Sequence, residues 1–463
     1  MTAVDLWIAM PLLFIAGGAL LILLLGTVNQ GRYGTAVGVA ASAGAAMWTF
    51  QDPPATLAPA LALASTQLVR MYIVLFCVTA SAVLVISHRY NKRCGITGEE
   101  YPATILFAAF GMTAMVMATN LLVLFMGLEA MTFGFYILVA MDMKRETSAE
   151  AGLKYLLMGA VAAAFLAFGI GLHYAGTGSL SLAEALNLAA GNRIALAGWG
   201  FILVGAAFKL SLVPAHLWTP DVYQGGPAPV TAFLSACSKG ATVAMLLLIL
   251  PWGNTDTLRP VLWCLAVLSM VVGNLAALLQ SNVRRMLGYS SIAQMGYVVV
   301  AFISGTNGGY EAAAYYSVAY AAMSVAALGA VSLIESSGAG DTSEEWHGLW
   351  RRSPFVSAIL AISLFALAGI PPTAGFTGKF LIFTAAIRAG EISLAVIGIL
   401  TAAASAYYYL RVIASLYMQD QQETAAVSPT LPEYAVLTAA AAAILLFGIF
   451  PSPLLILVKS ALP

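Results

Sequence analysis

Long apolar stretches follow one another along almost the whole chain, and short segments between them hold most of the polar residues. Many of these stretches approach about 20 residues, the length that an α-helix needs to cross a bilayer of about 30 Å. Fourteen spans are predicted, over residues 6–26, 33–50, 68–88, 102–118, 121–141, 149–174, 194–214, 228–251, 258–280, 286–304, 310–335, 354–386, 392–418 and 433–458. The pattern predicts an all-α polytopic membrane protein.

Composition agrees with the pattern and excludes several functions. The chain has 463 residues, of which 61% are apolar and only 9% charged, and its mean hydropathy is +0.91. Its 20 basic and 20 acidic residues balance, so the chain lacks the excess of basic charge that is typical of nucleic-acid-binding proteins. The four cysteines are scattered singly, and neither a metal-type Cys/His motif nor a glycine-rich phosphate loop occurs. No cofactor or metal is therefore expected in this chain.

Basic residues outside the spans predict the orientation. With both termini outside, eleven of them fall on the inner side and five on the outer side, as the positive-inside rule requires. The inner set is Arg32, Arg89, Lys92, Arg93, Lys144, Arg145, Arg284, Arg285, Arg351, Arg352 and Arg411; the outer set is Arg70, Arg193, Arg259, Arg388 and Lys459. The start of the chain, MTAVDLWIAM, has no basic residues and is expected to be a first membrane helix.

Two predicted spans are interrupted by proline. One breaks at LVPAHLWTP and the other at AGIPPTAGF, five spans later, so corresponding helices run in opposite directions. This offset predicts two inverted-topology repeats of five helices, each with one discontinuous helix. The expected segments are 1–101 (three helices), 102–257 (first repeat, helices 4–8), 258–418 (second repeat, helices 9–13) and 419–463 (helix 14).

Four lysines and one glutamate inside predicted spans are the candidate buried charges: Glu129, Lys154, Lys209, Lys239 and Lys379. A charged side chain that faces lipid at the bilayer centre costs about 2.5–3.5 kcal/mol. These residues must therefore face the protein interior, form ion pairs, or lie beside water. One interpretation is structural, with an ion pair between helices and lysines that extend to the surface, which applies most to Lys154. The other is a proton path, favoured for the deeper lysines because two of them adjoin the breaks. Lys209 is the first choice of partner for Glu129.

Other polar residues near the breaks fit a proton path. His216 follows the first break and either relays protons or forms hydrogen bonds at a helix end. Hydroxyl and amide side chains along two neighbouring spans can hold a water wire between lysines or simply bond adjacent helices. These are Tyr289, Ser290, Ser291, Gln294, Tyr297, Tyr316, Tyr320 and Ser324.

Several long motifs together resemble one family. They are SAEAGLKYLLMGA followed by HYAGTGSL, DVYQGGPAPVTAFLSACSK after HLWTP, NVRRMLGYSSIAQMGY, and AGIPPTAGFTGKF. They are similar to the antiporter-like membrane subunit N of respiratory complex I, the proton-pumping NADH:quinone oxidoreductase, which is related to multisubunit Na⁺/H⁺ antiporters. The resemblance covers essentially the whole chain and includes the count of fourteen spans. A lysine at position 379 and the length of the chain speak against the M- and L-type subunits.

The resemblance implies roles for the buried charges. Glu129 and Lys209 match the family's glutamate on the fifth helix and its partner on the broken seventh helix. Lys239 matches the central lysine, and Lys379 the lysine near the outlet. A change in the Glu129–Lys209 pairing would alter the proton affinity of Lys239, which would exchange protons with Lys379.

Three further residues of this sequence can be compared with positions of the family. Lys154 matches a lysine on the sixth helix and His216 the histidine of the HLW motif. Many members have histidine where this chain has Gln294. Because glutamine does not titrate, a relay at that step needs water or a hydroxyl.

The resemblance also implies partners. NAD, FMN, iron–sulfur clusters and quinone are expected on other subunits, so this chain would be a non-redox subunit of a translocase. Expected neighbours are an M-type subunit on one side, small A-, J- and K-type subunits on the other, and the lateral helix of the L-type subunit. The expected location is the bacterial inner membrane. Alternatives are a subunit of a Na⁺/H⁺ antiporter or of a ferredoxin- or hydrogenase-linked complex, and a structural scaffold.

Overall fold

The computed structural model describes residues 2–28, 33–51, 56–96, 98–183, 185–189, 191–250, 257–338, 340–420 and 426–462, so Arg32 lies outside the described residues. In the first part of the chain, the described residues form three α-helices and a short antiparallel hairpin. These elements are α1 (Ala3–Thr27), α2 (Gly34–Trp48), β1 (Leu57–Ala58), β2 (Leu63–Ala64) and α3 (Gln67–Cys94). Helix α1 begins with a capping box between Thr2 and Asp5.

The middle and last parts of the described chain are helical. The middle part contains α4 (Glu100–Met117), α5 (Leu121–Val139), α6 (Glu146–Thr177), α7 (Ala185–Ala189), α8 (Arg193–Leu210), α9 (Trp218–Gly225), α10 (Ala228–Phe233) and α11 (Lys239–Ile249). The last part contains α12 (Arg259–Leu278), α13 (Val283–Ile303), α14 (Asn307–Ser336), α15 (Pro354–Ala368), α16 (Ala374–Arg388), α17 (Ile392–Met418), α18 (Leu431–Ile449) and α19 (Ser452–Ala461). A turn of π-helix, Leu234–Ser238, joins α10 to α11.

The prediction of an all-α polytopic membrane protein is confirmed. Twelve helices within the described ranges are long and apolar enough to cross a membrane. The two other predicted spans, 33–50 and 354–386, correspond to the shorter α2 and to the broken pair α15 and α16. The inverted symmetry of the repeats and the segment boundaries stay predictions.

The prediction of one continuous helix over the last span, 433–458, was wrong. Helix α18 ends at Ile449 and α19 begins at Ser452. Pro451 and Pro453 explain the break, because proline lacks an N–H donor and clashes with the preceding turn, yet it is tolerated in the first turn of a new helix.

Both predicted interior breaks are present. Helix α8 ends at Leu210, and the chain passes through residues 211–217 before α9 begins. Helix α15 ends at Ala368, and residues 369–373 precede α16. Each break contains a cis X-Pro bond, at Pro214 and at Pro372. The two breaks interrupt the helices that carry Lys209 and Lys379.

Three spans form the centre of the bundle. In the span from Ala228 to Ile249 and in α13, 94% of the most apolar segment is buried, and in α14 the share is 89%. The corresponding share is only 28–39% in α1, α6, α12, α17 and α18, which present exposed leucine and isoleucine side chains. The central helices are therefore shielded by an outer layer whose apolar surface suits contact with lipid.

Close contact between α4 and α5 fixes the position of α5, which carries Glu129. A Cβ atom at Gly111 would collide with the backbone nitrogen of Met131, and one at Gly127 would lie 2.5 Å from the backbone nitrogen of Met115. Only glycine permits the two backbones to approach this closely.

Candidate functional site

Lys209 lies in the last turn of α8, just before the first break, and its residue is only 3% exposed. Its Nζ donates a hydrogen bond to the Oγ1 of Thr132 on α5. The Thr132 hydroxyl in turn donates to the carbonyl of Leu128 at 2.6 Å. Aromatic rings surround the ammonium at 5.4–6.0 Å from their centroids; they belong to Phe208, Tyr155 and Tyr136. The ammonium is thus held by one hydroxyl and by ring faces.

Glu129 lies one helical turn before Thr132 on α5 and is half-buried. Its Oε1 is buried and has no hydrogen-bond partner among the described residues. Glu129 and Lys209 interact electrostatically. However, the salt bridges between described residues, which reach to 4.0 Å, do not include this pair. In this conformation Lys209 bonds Thr132, and its direct pairing with Glu129 stays a prediction.

Lys239 is the first residue of α11, directly after the turn of π-helix, and it is 1% exposed. Such turns widen a helix and are frequent at functional sites. The Lys239 Nζ donates to the Oγ of Ser291 on α13. The same oxygen accepts from the hydroxyls of Tyr320 at 2.7 Å and Tyr223 at 3.1 Å. A hydroxyl oxygen has two acceptor lone pairs, so these three donors compete for Ser291.

Lys379 lies on α16, just after the second break, and is 5% exposed. Its Nζ donates to the carbonyl of Leu367 at 2.8 Å and to that of Ala368 at 3.2 Å. These are among the last carbonyls of α15, which lack intrahelical donors where a helix ends. The ring of Tyr297 lies 5.1 Å from the ammonium. The break therefore supplies the acceptors that hold this buried lysine.

A cluster of uncharged polar side chains lies between Lys239 and Lys379. Gln294 on α13 donates from Nε2 to the Leu367 carbonyl at 2.9 Å and to the Tyr409 hydroxyl at 3.1 Å. Its Oε1 accepts from the Tyr316 hydroxyl, and Tyr409 also shares a hydrogen bond with Ser290. The amide at position 294 is thus surrounded by hydroxyls.

Lys154 lies near the start of α6 in a different setting, since its side chain is 45% exposed. Its Nζ pairs with Glu150 at 2.7 Å and with Asp221 at 2.8 Å, and Arg285 pairs with Asp221 at 2.6 Å. These four side chains line a polar cavity of about 210 Å³. The interpretation of Lys154 as a surface-reaching lysine fits this placement.

Asp221 holds these two cations together as a carboxylate. Burial by itself would raise the pKa of Asp221, but hydrogen bonds from Lys154 and Arg285 outweigh burial and lower it. With a lowered pKa, Asp221 stabilises the fold at neutral pH, and this contribution is lost only as the pH falls through its folded-state pKa. Asp221 is therefore a fixed charge.

His216 lies between α8 and α9 and is half-buried. Its Nδ1 has no hydrogen-bond partner within the described parts of the chain. The structure thus places Lys209 near Glu129 and links Lys239 and Lys379 to one region of α13. Lys154 and His216 make no hydrogen bond or ion pair to these residues in the described ranges.

Four residues that contact the predicted site were not singled out from the sequence: Thr132, Asp221, Tyr223 and Tyr409. The position of Thr132 could have been predicted, since a residue three positions after Glu129 lies on the same helix face. Asp221 and Tyr223 stand in the DVYQGG motif beside the first break. Tyr409 carried no local signal, because it lies 115 residues from Gln294 along the chain.

A helix bundle that buries three lysines, two of them at broken helices, is typical of membrane proteins that move ions. Residues 118–405 match the family model described as NADH:quinone oxidoreductase/Mrp antiporter, transmembrane. The NADH-quinone oxidoreductase subunit N of Geotalea uraniireducens strain Rf4 is 58% identical over 100% of both chains. The chain belongs to the family of NADH-quinone oxidoreductase subunit N.

The solved structures that share the fold include two respiratory complexes. A chain of respiratory complex I from Thermus thermophilus with bound aureothin is 32% identical, with a TM-score of 0.83 over 98% of this chain and 100% of that chain. A chain of the membrane-bound sulfane sulfur reductase, an archaeal respiratory membrane complex, is 26% identical, with a TM-score of 0.88 over 99% and 96%.

Proposed function

We propose that this chain is a proton-translocating, non-redox membrane subunit of an NADH:quinone oxidoreductase. The observation that carries the proposal is the burial of Lys209, Lys239 and Lys379, which are 1–5% exposed and bond to uncharged oxygens. Lys239 and Lys379 form no ion pair with a carboxylate among the described residues, so each can give up and regain its proton without leaving a buried anion behind. Relatives that carry the name of this subunit support the assignment of the complex.

The energy source lies outside this chain. NAD, FMN, iron–sulfur clusters and quinone would be held by partner subunits, and membrane-arm subunits of the M, L and small A, J and K types would contact this chain. The complex I structure that contains a similar chain supports such an assembly. The membrane would be the bacterial inner membrane, with both termini outside.

The mechanism begins at Glu129 and Lys209. A change in the neighbouring subunits would draw the Lys209 ammonium away from Thr132 and toward Glu129, whose Oε1 has no hydrogen-bond partner within the described chain. Moving this charge changes the electrostatic potential at Lys239. Lys239 would then release its proton toward Lys379. Lys154 and His216, which lie apart from these groups, would act where protons enter.

Lys239→Ala in the assembled complex tests the proposal. Membrane vesicles that contain the variant should lose most of the protons pumped per NADH oxidised, while the amount of complex stays normal. Lys92→Ala provides the control, because Lys92 is exposed. Normal pumping by Lys239→Ala would contradict the proposal.

The same vesicles distinguish an oxidoreductase subunit from the alternative, a subunit of a Na⁺/H⁺ antiporter. The matching family model also covers Mrp antiporters. Proton movement that needs NADH supports the oxidoreductase, whereas movement driven by a sodium gradient alone would support the antiporter.

A further inference from the structure

Two hydrogen-bonded networks approach each other between α11 and α16. The Lys239 network contains Ser291, the two tyrosines that donate to it (Tyr223 and Tyr320), and the serines Ser235 and Ser324. The Ser235 hydroxyl lies 3.0 Å from the Tyr320 hydroxyl and 3.0 Å from the Ser324 hydroxyl, so it connects them. The Lys379 network contains the Leu367 carbonyl, Gln294, Tyr316, Tyr409 and Ser290. Among the described residues, no direct hydrogen bond joins the two networks.

A small cavity lies where the two networks meet. Its volume is about 10 Å³, the room that one water molecule needs. Residues of the Lys239 network line one part of it: Tyr223, Ser235, Tyr320 and Ser324. Residues of the Lys379 network, Ser290 and Leu367, line another part. A buried water needs two to four polar partners, and the hydroxyl-bearing residues around this cavity are numerous enough to supply them.

We propose that one water bound in this cavity, together with the Ser290–Tyr409 pair, carries the proton between Lys239 and Lys379, and that Gln294 positions Tyr409. This inference rests on the proposed function. It assigns a water site and two proton-carrying hydroxyls to the interval between the lysines.

The proton balance closes without a further titrating group. The Lys239 ammonium gives a proton to its hydroxyl network, and each hydroxyl and the water accept one proton and pass one on. Lys379 takes part as a neutral amine that has already released its own proton on the outlet side. On its flexible side chain it turns from the Leu367 carbonyl to the Tyr409 hydroxyl and takes up the last proton there. One amide nitrogen, Nε2 of Gln294, bonds both of these oxygens, so they are neighbours. The amide itself neither gains nor loses a proton.

Removing single hydroxyls from the link tests the proposal. Ser290→Ala and Tyr409→Phe should each slow NADH-driven proton pumping by about tenfold. This factor corresponds to the loss of one hydrogen bond of about 1.4 kcal/mol on the path of the proton. The double variant should be no slower than the worse single variant, because both hydroxyls serve one link. Tyr315→Phe is the matched control, since Tyr315 is buried but bonds the Phe447 carbonyl at 2.6 Å, outside both networks.

Substitutions at Gln294 separate positioning from packing. Gln294→Leu keeps most of the volume but loses the donor to Tyr409, so it should pump as slowly as Tyr409→Phe. Gln294→His restores a donor and should recover pumping, with a new pH dependence near the ordinary imidazole pKa of about 6.5. Normal pumping by Gln294→Leu would overturn the positioning role.

The remaining outcomes are distinguishable. If Lys239→Ala stops pumping while Ser290→Ala and Tyr409→Phe pump normally, the link is overturned and the proposed function stands. If Lys239→Ala pumps normally, the proposed function fails and the link fails with it. If Tyr315→Phe slows pumping as much as Tyr409→Phe, the effect is general packing and the link is overturned.

A structure of the parent complex gives a test that does not depend on variants. At a resolution that shows other buried waters, ordered density in this cavity supports the proposal. A dry cavity at that resolution overturns it.

Discussion

The hydroxyl of Thr132 holds the buried Lys209 ammonium away from Glu129, so removing that hydroxyl should shift Lys209 toward the carboxylate. Thr132→Val is nearly the same shape and deletes only the polar atom. A hydrogen bond to a charged group contributes about 1.5–3 kcal/mol. Because about 1.4 kcal/mol changes an equilibrium tenfold, the balance between the two positions of Lys209 should shift roughly 10- to 150-fold.

The direction of the effect on pumping follows from this balance. If Lys209 must return to Thr132 in every cycle, the variant stabilises the position at Glu129 and slows that return by up to the same factor. The assay is NADH-driven proton pumping in vesicles, normalised to the amount of assembled complex. A structure of the variant should show the Lys209 Nζ within about 4 Å of the Glu129 carboxylate, an ion-pair distance.

A matched control is available on the neighbouring helix. Thr113 on α4 is also fully buried, and its hydroxyl has no hydrogen-bond partner in the described part of the structure. Thr113→Val should therefore leave pumping unchanged. Normal pumping by Thr132→Val, with Lys209 still turned away from Glu129, would refute the reasoning.

Three further predictions concern charges at the rim of the interior. Asp221→Asn removes the carboxylate that bonds Lys154 and Arg285, and it should cost about 1–3 kcal/mol, measured as a lower midpoint of thermal disassembly of the complex. Lys154→Ala should keep most of the proton pumping, because this side chain is 45% exposed; complete loss would contradict a peripheral role. Arg284→Met leaves the Glu335 carboxylate, whose side chain is only 9% exposed, without its ion pair of 2.8 Å and should cost about 3–5 kcal/mol, so little subunit should enter the complex. Adding Glu335→Gln should restore incorporation, and failure to do so would count against the ion pair.

The sequence predicted the main helices and the depth of the charged residues. The span predicted over 392–418 has the same bounds as α17, because an unbroken apolar stretch between polar segments leaves little choice of ends. Lys239 and Lys379 are buried as expected, since a lysine in the middle of an apolar span has no path to water unless it faces the interior. The proline breaks were equally clear, because the missing donors act locally.

The partners of these residues were not predictable from the sequence. Whether Lys209 meets Glu129 or Thr132 depends on the rotation of α5 against α8, and both residues lie on the same face of α5. Tyr409 meets Gln294 only because α13 and α17 pack together. Arg284 shows the same limit: predicted in an inner loop, it is fully buried at the start of α13 and lies 2.8 Å from Glu335, a carboxylate near the end of α14.

The acceptors separate two classes of cation in this protein. Arg284 and Arg285 are paired with carboxylates, and an arginine side chain keeps its proton in proteins. Lys239 and Lys379 bond to a hydroxyl and to carbonyls. A neutral amine still donates hydrogen bonds to such oxygens, so the local structure is satisfied in both protonation states. The first class is therefore suited to hold helices together, and the second to pass protons without disturbing the helices that carry it.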